Sequence, residues 1–248
     1  MSQPRHQVRP PTRSRHKTMA AALALATCLF IILTPQSGRS TSTVDLVLIL
    51  ALDVSGSVND REFDLQKTGL ARAFRHPAII EAIRQGRSKR IAVSVVQWSG
   101  YREQTTSIPW TVIADPAAAT HFADRLATMH RAYSYPLGVT NIAAVIRYAT
   151  RIALAAPYAA DRRVVDISGD GKSNVLEPPE KARDQAIRAG MTVNGLAILN
   201  ETPDLTEYYR SHVIGGPGAF VIKANDYDDY ARAILRKLIR EIAHHFIT

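Results

Sequence analysis

The sequence predicts a doubly wound α/β fold, a mostly parallel sheet flanked by helices within a single domain. Residues 44–52, 90–98, 162–168 and 191–199 are short, nearly continuous apolar runs, as expected of parallel strands buried on both faces. Segments of helical periodicity separate these runs. The chain has 248 residues, 46% hydrophobic and 21% charged, enough for one substantial core.

Residues 44–52 form the first strand and lead straight into Asp53. Asn59, with Glu62 three residues on, has the pattern of a capping box, and Phe63, Leu70 and Phe74 recur on one face of the helix that follows. Residues 90–98 give the second strand. Residues 104–113 contain Pro109 and read as an edge strand, because proline removes a ladder donor. Helices are expected over 115–129, 141–155 and 178–189, the last ended by Gly190. Residues 215–218 form a tight turn before a final strand at 219–223. In the closing helix Tyr227, Tyr230, Ile234, Leu238 and Ile242 share a core stripe. Asp226, Asp228 and Asp229 suit its N-terminal dipole, and Arg236, Lys237 and Arg240 suit its later turns.

The formal charge of +9 sits mostly in a leader. Arg5, Arg9, Arg13, Arg15, Lys17 and Arg39 all precede the first acidic residue, Asp45, and setting those six aside leaves 25 basic residues against 22 acidic ones. Nucleic-acid binding thereby loses its main support. Residues 19–33 are a run of 15, apolar but for Thr27, behind the basic segment, which is the grammar of a signal peptide. The run falls short of the roughly 20 residues that span a bilayer. Cleavage near Gly38-Arg39-Ser40 is therefore expected, the alternative being a short signal anchor with the domain outside the cytoplasm. Further apolar residues follow Leu25-Ala26-Thr27-Cys28, which argues against lipidation. The expected organisation is a leader over 1–40 and a domain over 44–246, periplasmic or extracellular. Cys28, the only cysteine, lies in the leader, so the domain carries neither disulfide nor thiol chemistry.

Asp53-Val54-Ser55-Gly56-Ser57 delivers a carboxylate and two hydroxyls where a strand gives way to a loop. Ligands of doubly wound sheets bind beyond such strand ends. An oxygen-only set of this kind suits a hard dication, Mg²⁺ first, with Mn²⁺ or Ca²⁺ as alternatives. Two other segments can reach the same edge. Thr140, before a helix, is either its N-cap or a ligand through its hydroxyl. Asp170, in Gly169-Asp170-Gly171 after a strand, is either a turn residue or a carboxylate facing the first loop.

In these three elements the chain resembles the von Willebrand factor A family, whose metal-ion-dependent adhesion site is written Asp-x-Ser-x-Ser, then Thr, then Asp. More narrowly it is similar to an uncharacterised bacterial group of exported A-domain-like proteins, through Val95-Val96-Gln97-Trp98-Ser99-Gly100, Ser168-Gly169-Asp170-Gly171 and Ile214-Gly215-Gly216-Pro217-Gly218-Ala219-Phe220. The resemblance implies a Rossmann-like single domain and a metal site at Asp53, Ser55, Ser57, Thr140 and Asp170. Ser55, Ser57 and Thr140 or Asp53 are expected to bind directly, and Asp170 through water. It also implies a protein partner whose Asp or Glu completes the coordination sphere, and no catalysis. Gly169 before Asp170 departs from the family's usual Thr-Asp-Gly.

The competing functions lack parts. A Mg²⁺-dependent phosphatase of haloacid dehalogenase type needs a second Asp two residues after its nucleophile to protonate the leaving group. Ser55 stands there, and Asn174 stands where a second metal-binding Asp belongs. No Gly-x-Ser-x-Gly elbow supports a serine hydrolase. His76, His121, His130, His212, His244 and His245 are scattered without a paired carboxylate motif, as surface or packing residues are. The export segment argues against a cytoplasmic chelatase-type A domain. Trp98, Ser99 and Tyr101 follow a strand, so they either line the rim of the metal face or, for Trp98, enter the core. Asn174, Asn200 and Glu201 also follow strand ends, where they either line the same rim or serve as turn residues.

Overall fold

The computed structural model describes residues 42–133, 138–200 and 202–243. The leader with Cys28, and also Glu201, His244 and His245, lie outside the described residues. Six strands form one sheet: β1 (Ser42–Asp53), β2 (Ile91–Trp98), β3 (Gln104–Ile113), β4 (Tyr158–Gly169), β5 (Thr192–Ile198) and β6 (Val221–Ala224). Their order is β3-β2-β1-β4-β5-β6, and only the edge strand β3 is antiparallel. The chain winds outward from β1 in both directions, so the switch in strand order falls between β1 and β4. The loops after Asp53 and Gly169 face each other across that crevice.

Side chains on β1 alternate between two cores. Leu46, Leu48, Leu50 and Leu52 pack with α1 (Asp60–Arg75), α2 (Pro77–Arg84), α3 (Pro116–Ala127) and α7 (Tyr230–Ala243). Val47, Ile49 and Ala51 pack with α4 (Ile142–Leu154), α5 (Pro179–Arg188) and α6 (Leu205–Tyr208), which continues as a π-helical turn over Tyr209–Val213. Asp53 belongs to the second set by the same period of two. The expected capping box is present: Asn59 accepts from Glu62 N, and Glu62 accepts from Asn59 N.

Several expectations change. β4 begins before its apolar run, because the polar stretch around Arg162 still pairs with β1 through backbone alone. His76 opens an unexpected helix, α2, its Nδ1 accepting from Ala78 N at 3.2 Å. Tyr227 is buried but lies in the turn before α7. Lys237 does not serve the exposed end of that helix. It is fully buried, with Nζ 2.8 Å from Asp166 Oδ1 on β4 and 2.5 Å from Glu241 Oε1 one turn on. Three residues after Ile234 and seven after Tyr230, it falls on the core face, where only an ion pair can hold its charge. Burial, opposed by Lys237, pushes the Asp166 carboxyl up to about 7. Trp98 is likewise in the core and does not line the rim. Among the described residues, no helix is long and apolar enough to cross a membrane.

Candidate metal centre

β1 ends level with its neighbours: Asp53 pairs with Trp98, and Leu52 with Ser168. The strand therefore delivers Asp53 beside Gly169, and the following loop curls back so that Ser55 N donates to Asp53 Oδ1 at 2.8 Å. Ser57 reaches across the crevice, its hydroxyl donating to Asp170 Oδ1 at 2.7 Å. Ser55 Oγ lies 3.4 Å from Ser57 Oγ and 3.4 Å from Thr140 Oγ1. These last contacts exceed the ~2.8 Å of an ordinary O–H···O bond, so the three hydroxyls converge without satisfying one another. Thr140 is not the helix cap. Asn141 is, accepting from Ala144 N at 3.0 Å, and the Thr140 hydroxyl is left to the cluster. All five residues named from sequence thus occupy one cluster of oxygens.

The electrostatics of this cluster favour a cation. Asp53 is fully buried and Asp170 is 3% exposed, yet Asp53 Oδ2 and Asp170 Oδ2 have no hydrogen-bond partner. Burial, then the charge of Asp170, pushes Asp53 up to about 8, and burial raises Asp170 as well. Two dehydrated carboxylates with orphaned oxygens, beside three hydroxyls, fit an oxygen-liganded dication that would neutralise them. Among the described residues, no three His, Cys, Asp or Glu side chains gather as a metal cluster, so hydroxyls must supply part of any such set.

Three supporting residues, Arg131, Gln66 and Tyr209, escape a reading by spacing, and a fourth, Asn174, does more than turn a loop. Arg131 Nη2 donates to Val54 O at 3.0 Å, Ser55 O at 3.3 Å and Val58 O at 2.6 Å, clamping the first loop. Gln66 Nε2 donates to Asp53 O at 3.1 Å. Asn174 holds the Thr140 segment: its Oδ1 accepts from Thr140 N at 2.8 Å, and its Nδ2 donates to Gly138 O at 2.9 Å. Tyr209, on the π-helical turn, is fully buried with an unpartnered hydroxyl. A Cβ on Gly169 would lie 2.8 Å from both that hydroxyl and Asp53 Oδ2, so glycine before Asp170 makes room for the two to approach. Asn200 bonds Glu62 at 3.1 Å, tying the end of β5 to the start of α1. His212 does have a carboxylate partner, Glu180 Oε1 at 2.5 Å, on the outer side of the same turn.

The chain is similar to proximal thread matrix protein 1 from the mussel byssus, at TM-score 0.59 and 17% identity over 82% of this chain and 49% of that one. A second structure of the mussel protein, at TM-score 0.57 and 17% identity over 82% and 49%, is described with a zinc occupied MIDAS motif. A von Willebrand factor type A structure from Catenulispora acidiphila has TM-score 0.53 at 17% identity over 81% and 43%. The vWF domain of the type V pili tip protein Mfa5 from Porphyromonas gingivalis has TM-score 0.57 at 10% identity over 83% and 97%. This chain spans about half the length of the mussel chain. The architecture is that of a von Willebrand factor A domain, and identities of this order speak to the fold alone. No curated protein matches the sequence. The chain belongs to the family described as protein of unknown function (DUF1194), whose model matches residues 43–246.

Proposed function

We propose that this chain is an exported binding module whose domain, over residues 44–246, holds a divalent cation and presents it to an acidic group of a protein partner. Asp53, Ser55, Ser57 and Thr140 would hold the ion, with Asp170 acting through Ser57 and water. Mg²⁺ is the preferred ion, Mn²⁺ and Ca²⁺ the alternatives, because every donor is a hard oxygen. The observation that carries this reading is the pair of buried, unpartnered oxygens on Asp53 and Asp170. The zinc-bound mussel protein of the same fold adds support.

With Asp53 the one carboxylate on the ion, Asp170 behind Ser57 and water, and the hydroxyls neutral, a bound ion would keep its attraction for an outside carboxylate. Arg131 and Asn174 keep the ligand loops in place, so this chain's part is to position and desolvate. No group is assigned to proton transfer or nucleophilic attack, and the module binds without catalysis. The leader over 1–40 would direct export, its apolar segment 19–33 being either removed or retained as an anchor. Calorimetric titration of Mg²⁺ and Mn²⁺ into wild-type protein and Asp53→Ala tests the site. The variant should remain folded by circular dichroism and lose binding. Retained binding would remove Asp53 from the site.

A further inference from the structure

Three large apolar side chains stand exposed among the described residues: Tyr101, Leu154 and Leu176, the last wholly so. Two of the three flank the oxygen cluster. β2 and β4 are the neighbours of β1 in the sheet, so the loops that follow them leave on opposite sides of Asp53. Tyr101 is in the first of these loops and Leu176 in the second. Both loops are bonded to the segment carrying Thr140. Ser99 Oγ donates to Val139 O at 3.0 Å, and Ser99 O accepts from Asn141 N at 3.0 Å. On the other side Asn174 N donates to Thr140 O at 3.0 Å, and Ser173 Oγ donates to the same carbonyl at 3.2 Å. Each exposed side chain thus stands two residues from a fixed anchor, Tyr101 after Ser99 and Leu176 after Asn174.

We infer that Tyr101 and Leu176 are the apolar shoulders of the metal face, and that they select a protein segment in which an Asp or Glu lies between large apolar side chains. The inference rests on the metal-binding reading and adds the character of the partner. Scattered single apolar residues are ordinary on a surface. Among the described residues the other large exposed one is Leu154, at the end of α4, while these two bracket the place where an acidic group would be held. An acidic side chain directed at the cluster would carry its neighbours in sequence outward over the two loops, where a leucine or phenylalanine could cover Tyr101 or Leu176. A lipid surface fits less well, since it would press the polar cluster between the two loops against acyl chains.

The test uses wild-type protein, Tyr101→Ser, Leu176→Ser and the double variant. Mn²⁺ affinity is measured by calorimetry, and binding of fluorescent peptides with Leu-Asp-Leu, Gly-Asp-Gly or Leu-Asn-Leu centres is measured in Mn²⁺ and in chelator. The wild type should prefer Leu-Asp-Leu to Gly-Asp-Gly by about tenfold, the worth of one partly buried leucine side chain. Binding should vanish with Leu-Asn-Leu or in chelator. The double variant should lose the preference while keeping its Mn²⁺ affinity. Equal binding of the two Asp peptides by the wild type, or binding of neither, with Mn²⁺ still bound, overturns the inference and leaves the metal site standing. Failure of the wild type to bind Mn²⁺ overturns the metal reading itself. Variants that lose Mn²⁺ along with the preference would place the two residues in support of the ion, against the inference. Adsorption to phosphatidylglycerol vesicles that depends on Leu176, without peptide preference, would make the face a lipid contact and also overturn it.

Discussion

Asp53 carries the strongest strain in the site. A carboxyl held at about 8 rather than the usual 3.8 takes up a proton on folding, so the ion-free domain loses stability as pH rises from about 4 towards 8. Asn cannot ionise. In chelator at pH 8, Asp53→Asn should therefore be more stable than wild type by on the order of 1–3 kcal/mol. The gap should close near pH 4, and Mg²⁺ should stabilise only the wild type. Urea denaturation at the two pH values checks this, and an Asn variant less stable than wild type at pH 8 would contradict it. Asp53, Ser55 and Ser57 are legible in sequence because they share one short loop, and Asp170 because glycines frame it. Thr140 was ambiguous until Asn141 took the cap. Arg131, Gln66 and Tyr209 act on groups far away in sequence, two of them through backbone carbonyls, and no spacing encodes that.

The loops at the ends of β1, β4 and β5 owe their arrangement to a few side chains. Asn174 is the main support of the Thr140 segment, satisfying a backbone N–H and a carbonyl at once. Asn174→Ala should leave the sheet intact and weaken Mg²⁺ binding by roughly 10–100-fold, as losses of outer-shell partners do. Calorimetry decides, and an unchanged affinity would take Asn174 out of the site. Strands and long helices were legible from periodicity, and β3 matched residue for residue, its edge position marked by Pro109. The short α2 and α6 were not, since one or two turns give too little period to read. The start of α7 was misplaced because Tyr227 continues its stripe while lying in a turn.

At the scale of the whole domain, a buried charged group ties α7 to β4 and β5 within the first core. Lys237 on α7 meets Asp166 on β4 and Glu241, and Asn194 on β5 bonds Glu241 at 2.9 Å. Removing the one cation would strand two buried carboxylates. Lys237→Met should cost about 3–5 kcal/mol at pH 8 and less at pH 5, where Asp166, already raised to about 7, is protonated. Denaturation at both values measures it, and a neutral variant would show that the pair adds nothing. The fold class was legible because strand and helix periods alternate along the chain, whereas the ion pair was hidden by a lysine that surface logic assigns to solvent. The most direct test of the central claim is the anomalous signal from a crystal of the domain grown in Mn²⁺. A peak is expected among Asp53, Ser55, Ser57 and Thr140, and it should disappear in Asp53→Ala. A peak elsewhere, or none at this cluster with Mn²⁺ in excess, would contradict it.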